Sequence, residues 1–194
     1  MTSTARYQRN HERIHDAAID LFDERGFEET TVTAIARRAG VARATVFNHF
    51  PEKAGILVEF SRRLDALVIR AARLARVQGF RGRLTALFAA IGPISAAHRR
   101  VMAEAMRQAG SAEPLAGAGA EMDAEMRAFF REIAAAGQAE GDLRPELDAD
   151  FLADLLLGLL TATTHQWLAD ESPTSLQGEL IARFEALIDG IGTR

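Results

Sequence analysis

The side chains with reactive potential are few and widely spaced along the chain. There is no Cys, which excludes thiolate nucleophiles, disulfides, iron–sulfur clusters and thiolate zinc sites, and suits a cytoplasmic location. His98 and His165 have Asp or Glu nearby, but neither has a second His or Cys at i+3 or i+4, so they read as pocket or solvated histidines and no metal is expected. Ser172, Ser175, His165 and Asp170 contain the elements of a hydrolase triad. No strand-turn-helix elbow or Gly-rich phosphate loop accompanies them, so they read as chance composition; neither an enzyme nor a cofactor is expected. A different chemistry lies in Met102, Met106, Met122, Met126, Phe88, Phe129 and Phe130, whose thioethers and rings can line an apolar ligand cavity or pack as plain bundle core.

The most informative stretch is residues 31–53. Two short helices joined by a tight turn bring their backbones close, which calls for a small residue inside the first helix and a glycine at the turn. Ala36 and Gly40, four apart, meet both needs, and Ile35, Val41 and Val46 supply the apolar contacts between the helices. This is the spacing of a helix-turn-helix; an ordinary αα-hairpin is the alternative. Charge separates the two. The chain carries a formal −4 overall, yet from Thr30 to Pro51 there are three Arg and no Asp or Glu.

The elements that position this stretch are helices. With 37 Ala and 20 Leu against 18 Val plus Ile, helix formers far outnumber strand formers, and an all-β fold is excluded. Ile14, Ala17, Ala18, Leu21 and Phe22 form the stripe of a first helix that Gly26 ends, and Thr31 or Thr33 can cap the second. The third runs through Thr45, Val46, Phe47 and Phe50 to Pro51, which then opens a long fourth helix carrying Ile56, Phe60, Leu64, Leu67, Ala71 and Leu74. Beyond Gly79 a bundle follows. One helix is broken or kinked at Gly92-Pro93, the small, turn-rich residues 110–120 read as a mobile loop, and Asp148 can cap a Leu-rich helix. A last helix presents Leu180, Ile181, Phe184, Leu187, Ile188 and Ile191. The expectation is all-α with about nine helices: a three-helix helix-turn-helix domain at 1–52 and a helical bundle at 53–194. No run approaches 18 uncharged apolar residues, so no membrane span is expected.

Ile14 through Leu57, with three helix lengths, Gly26, Gly40, the Phe50-Pro51 junction and Lys53 all coinciding, resembles the N-terminal pattern of the TetR-type transcriptional repressors. The resemblance implies a cytoplasmic homodimer that places each third helix in the major groove of double-stranded operator DNA. It puts Arg43, Ala44, Thr45, Phe47 and Asn48 at base edges, and Thr31, His49 and Lys53 at phosphates. Arg43 then suits guanine, Asn48 adenine, and Phe47 or Ala44 a thymine methyl. Phe47 stands where many members carry Tyr, and Ala42 where many carry a capping Ser or Thr; affinity then leans on Lys53, His49, Arg6 and Arg9. The resemblance further implies a small apolar or aromatic effector in the C-terminal bundle, among Phe88, Met102, Met106, Met126 and Phe130, with His165 and Trp167 as polar or orienting groups. Dimerisation is expected through Leu152, Leu156, Leu159, Leu180, Phe184, Leu187, Ile188 and Ile191, whose apolar excess two copies can bury as a four-helix bundle. The alternative is a helical small-molecule-binding or scaffold protein without operator binding.

Overall fold

The computed structural model describes residues 3–75, 77–109, 113–170 and 174–191. Among them are nine helices and no strand: α1 (Ser3–Arg25), α2 (Val32–Ala39), α3 (Arg43–His49), α4 (Ala54–Leu74), α5 (Gly79–Ala97), α6 (Arg99–Ala109), α7 (Glu113–Glu140), α8 (Ala149–Ala169) and α9 (Leu176–Ile191). The fold is all-α, as its composition requires. No helix is long and apolar enough to cross a membrane among the described residues. The chain divides into two compact units, Met1–Arg62 with His98–Ala118, and Arg63–Ala97 with Gly119–Arg194. These are drawn differently from the expected halves at 52/53.

In the first unit the apolar stripe of α1 (Ile14, Ala18, Leu21, Phe22) is buried together with Ile35 and Ala36 of α2, Val46 of α3 and Ile56 and Leu57 of α4. Thr31 caps α2 by accepting from the Ala34 amide at 3.2 Å. Thr30, beside it, is buried, and its hydroxyl serves the ends of α1, with Gly26 O at 2.7 Å and Leu21 O at 3.2 Å. Gly40 ends α2 in the left-handed conformation, φ 64°, and the next amide, Val41 N, closes back on Ala36 O at 3.0 Å. Outside the head, α6 is held to α1 by His98, whose Nδ1 lies 2.5 Å from Asp23 Oδ2 and whose ring meets Phe60 edge-on.

The second unit is built on Phe80, Leu84, Leu87 and Phe88 of α5, Phe129, Phe130 and Ile133 of α7, Leu152 and Leu156 of α8, and Leu180, Phe184 and Ile188 of α9, all buried. Phe184 is the hub: its ring stands 4.7 Å from Phe88 and 6.5 Å from Phe130. The turn at Gly141-Asp142 closes α7 and also starts α5, because Asp142 Oδ2 accepts from the Phe80 amide at 2.7 Å. Asp148 caps α8, as its position suggested.

Three boundaries differ from expectation. α4 begins at Ala54 rather than at Pro51, which stands three residues ahead of it, so Lys53 precedes the helix. α5 runs unbroken through Gly92-Pro93; Ser95 Oγ donates to Gly92 O at 2.8 Å, and burial of Phe88 and Ile91 ahead of the site and of Ser95 beyond it outweighs the amide that proline lacks. Of the expected mobile loop at 110–120, residues 110–112 lie outside the described residues and the remainder is helix, with Pro114 in the first turn of α7, where its missing amide costs nothing.

Replacing Gly40 with Ala forces an L side chain into a left-handed site and points a Cβ at Arg13 Nη2, 2.7 Å away. The arginine tip can move; the backbone cannot. We expect a loss of about 1 to 2 kcal/mol, measured as a lower urea midpoint at unchanged slope. An unchanged midpoint would mean that the turn is not left-handed.

Candidate nucleic-acid interface

Seven residues are too few to hold a helix in water, so α3 exists because it is packed. Val46, 1 % exposed, is its anchor, and with Val46 inward the opposite face must point out. Arg43, Ala44, Phe47 and Asn48 are exposed on that face; Thr45 and His49 are half-buried. The helix starts at Ala42 with no side-chain cap, as the missing hydroxyl requires. Phe47, 40 % exposed, lies 5.5 Å beneath the Arg43 guanidinium. Its ring thus restrains the Arg43 side chain by cation–π attraction, reducing the rotamer freedom that a flexible side chain has in water.

Of the three arginines in the acid-free segment, Arg38 is not available as a free cation. It forms a two-pronged pair with Glu24 of α1 at 2.9 and 2.7 Å, and that pairing holds the Glu24 carboxyl below its ordinary range. Thr31 is exposed at the start of α2, its hydroxyl oxygen already used for the cap. Arg6 and Arg9 are exposed on the first turns of α1.

His49 sits in an aromatic cage that no single motif announces. Tyr7 lies 4.1 Å and His11 5.4 Å from its ring, and His11 in turn stacks on Phe50 at 4.5 Å. Tyr7 and His11 are four apart on α1, the one sequence signal that could have found them. The Nδ1 atoms of both histidines are buried without a hydrogen-bond partner. Burial, and next the charge of His11, push the His49 imidazole below its ordinary value of 6.5.

Lys53, expected in the first turn of α4 and on a phosphate, lies instead ahead of that helix. Its ammonium donates to Phe27 O at 2.6 Å and Thr30 O at 3.0 Å and rests 4.0 Å from the Phe27 ring.

The residues expected around an effector are divided between the two units. Phe88, Met126 and Phe130 are buried in the second unit, whereas Met102, buried, and Met106, half-buried, belong to the first. The side chain of Met122 lies outside the described residues. His165 is exposed, and the indole N–H of buried Trp167 donates to Thr174 O at 2.7 Å. A cavity of about 350 Å³ in the second unit is lined by Gln78, Phe80, Arg81, Asp142 and Ile188 among others, none of them expected. Of the triad candidates, Ser172 lies outside the described residues, and His165 and Asp170 are exposed.

The expected dimer surface requires correction. Leu152, Leu156, Leu180, Phe184 and Ile188 are each no more than 4 % exposed within their own chain and cannot serve a partner. The stripe i, i+4, i+8 of α9 is its inward face. Leu159 and Leu187 are half-buried, and the side chain of Ile191 lies outside the described residues.

Residues 14–60 match the model of the bacterial regulatory proteins of the tetR family. The transcriptional regulator MftR of Mycobacterium tuberculosis is 30% identical over 182 residues, 92% of this chain and 89% of that one. The transcriptional repressor BepR of Brucella suis is 25% identical, with 82% and 81% covered. Among solved structures, Thermus thermophilus FadR, a TetR-family repressor crystallised with lauroyl-CoA, superposes with a TM-score of 0.75 at 26% identity, covering 95% of this chain and 96% of that one. The chain belongs to the TetR family of DNA-binding transcriptional regulators.

The depressed His49 carries a pH signature. The unfolded chain binds a proton at this residue from about pH 6.5 down, while the folded chain resists it until a lower pH, so the contribution is present above 6.5 and is lost as acid is added. Replacing His49 with Gln should flatten the fall in urea stability between pH 7 and 5.5; a fall as steep as in the parent protein contradicts the cage.

Proposed function

We propose that the protein works in the cytoplasm as a homodimer that reads a palindromic operator with the exposed face of α3 and lets go when a small apolar molecule binds the C-terminal bundle. The observation that carries the reading is the exposure of Arg43, Ala44, Phe47 and Asn48 together on a helix pinned by Val46. On this reading Arg43 takes guanine, Asn48 adenine, Phe47 or Ala44 a thymine methyl and Thr45 an adjoining base edge, while Thr31 and His49 hold phosphates. The functional division at 1–52 for DNA and 53–194 for effector and partner rests on the same resemblance.

An apolar effector is supported by the lauroyl-CoA bound to the Thermus thermophilus relative, and by the rings of Phe88 and Phe130 that would meet one. Ligand binding that shifts α4, which contributes to both units, changes the spacing of two recognition helices that must enter successive grooves together. A displacement of that kind breaks binding without unfolding either head.

For the dimer, the remaining apolar surface of α8 and α9 is the supporting feature. Phe151, 52 % exposed, and half-buried Leu155 and Leu159 flank the small, exposed Gly158 and Ala162 on α8, and Ala182 and Ala186 are exposed on α9. Ala162→Glu with Ala186→Glu should halve the sedimenting mass and leave helicity intact; an unchanged dimer rejects this face.

The DNA reading is tested with duplexes selected from random sequence, in a mobility-shift assay at several salt concentrations. Arg43→Ala or Asn48→Ala should cost about 1 to 3 kcal/mol on the selected site and relax preference at one base position. An equal loss on random DNA sinks the base-contact assignment. Failure of the parent protein to shift any duplex favours the reading without operator binding.

A further inference from the structure

We infer that Lys53 is a positioning residue, a pin that ties α4 to the α1–α2 turn and so fixes the start of the helix-turn-helix, and that it is not one of the operator's phosphate contacts. A lysine ammonium has three protons. Two are committed, to Phe27 O at 2.6 Å and Thr30 O at 3.0 Å, and the ring of Phe27, 4.0 Å away, covers a further side. The side chain is half-buried, unlike the exposed Arg43 and Asn48.

What the pin holds decides its role. Phe27 O also accepts from Thr30 N at 3.1 Å, closing the turn, and Thr30 is tied by its hydroxyl to the end of α1. The next residue, Thr31, is the cap that sets where α2 begins. On the other side the Lys53 carbonyl accepts from Ile56 N at 3.2 Å, the entry to α4. One side chain therefore joins the end of α1, the cap of α2 and the start of α4. A third layer backs it from α6. There Arg107 bridges Glu104, at 2.6 Å, and Glu28 of the same turn, at 3.1 Å. Burial raises the Glu104 carboxyl, but hydrogen bonds from Arg107 and Gln108 and the charges of Arg107 and Lys53 outweigh it and keep Glu104 ionised. A displacement of α4 or α6 is thus handed to α2 through bonds to its own cap-bearing turn.

The DNA arm of the test rests on the operator reading above; the exchange arm does not. Hydrogen exchange is followed by mass spectrometry on the free parent protein, Lys53→Met and Lys53→Arg, and operator affinity is measured against salt for the same three. For Lys53→Met we expect faster exchange over residues 27–35, an operator affinity about tenfold lower or worse, and an unchanged salt slope; Lys53→Arg, which keeps the donors, should recover both protection and affinity. A slope smaller by about one, the signature of a lost phosphate contact, overturns the inference, as does unchanged exchange in Lys53→Met. If Lys53→Met does not fold, nitrogen-15 correlation of the lysine ammonium groups in the parent protein decides. A slowly exchanging Lys53 signal in the free protein that operator DNA leaves in place supports the pin, and one that appears or shifts only with DNA overturns it. Should no duplex bind at all, the operator reading falls and the exchange result still judges the pin.

Discussion

The left-handed turn at Gly40 is the constraint on which the exposed face of α3 depends. It lets Val41 N reach back to Ala36 O and brings two helices of eight and seven residues into contact through Ile35, Ala36, Ala39 and Val46. Neither helix would persist alone, since nucleation costs more than so few hydrogen bonds return. Their stability is tertiary, and so is their orientation. Every functional property assigned to Arg43 or Asn48 rests on a scaffold whose own interior is apolar.

Around that scaffold, charge is distributed so that the body stays acidic while one face does not. Residues 54–194 hold 15 basic and 19 acidic side chains, against no acid from Thr30 to Pro51. Part of the basic excess is absorbed internally, Arg38 by Glu24 and Lys53 by two carbonyls. Arg37 and Arg43 are exposed on α2 and α3. On the proposed operator reading, such a face would lean on shape and base contacts more than on a broad electrostatic field.

Periodicity made most of the helices legible, and the helix-turn-helix with its outward face was readable because Ala36, Gly40, Val41 and Val46 each answer a local demand. Helix ends were harder. Pro51 is a good first residue for a helix, yet the turn bonds Gly55 N to Glu52 O and Ile56 N to Lys53 O show the chain still turning there. Gly92-Pro93 was overruled by packing, and the glycines of α7 by the Ala-rich sequence around them. The partnering faces of α8 and α9 were misassigned for a different reason: an excess of apolar residues shows that two surfaces exist, and only the three-dimensional packing shows that Leu180, Phe184 and Ile188 face home. Contacts between residues far apart in sequence, such as Lys53 with Phe27 or His98 with Asp23, leave no periodic trace.

The account stands on two recognition helices entering one face of a duplex together. Hydroxyl-radical footprinting of the protein on a duplex selected from random sequence tests that directly. The account predicts two protected patches related by a two-fold axis, their centres one helical turn apart, about 34 to 36 Å. A single unpaired patch, or protection without a two-fold axis, would contradict it.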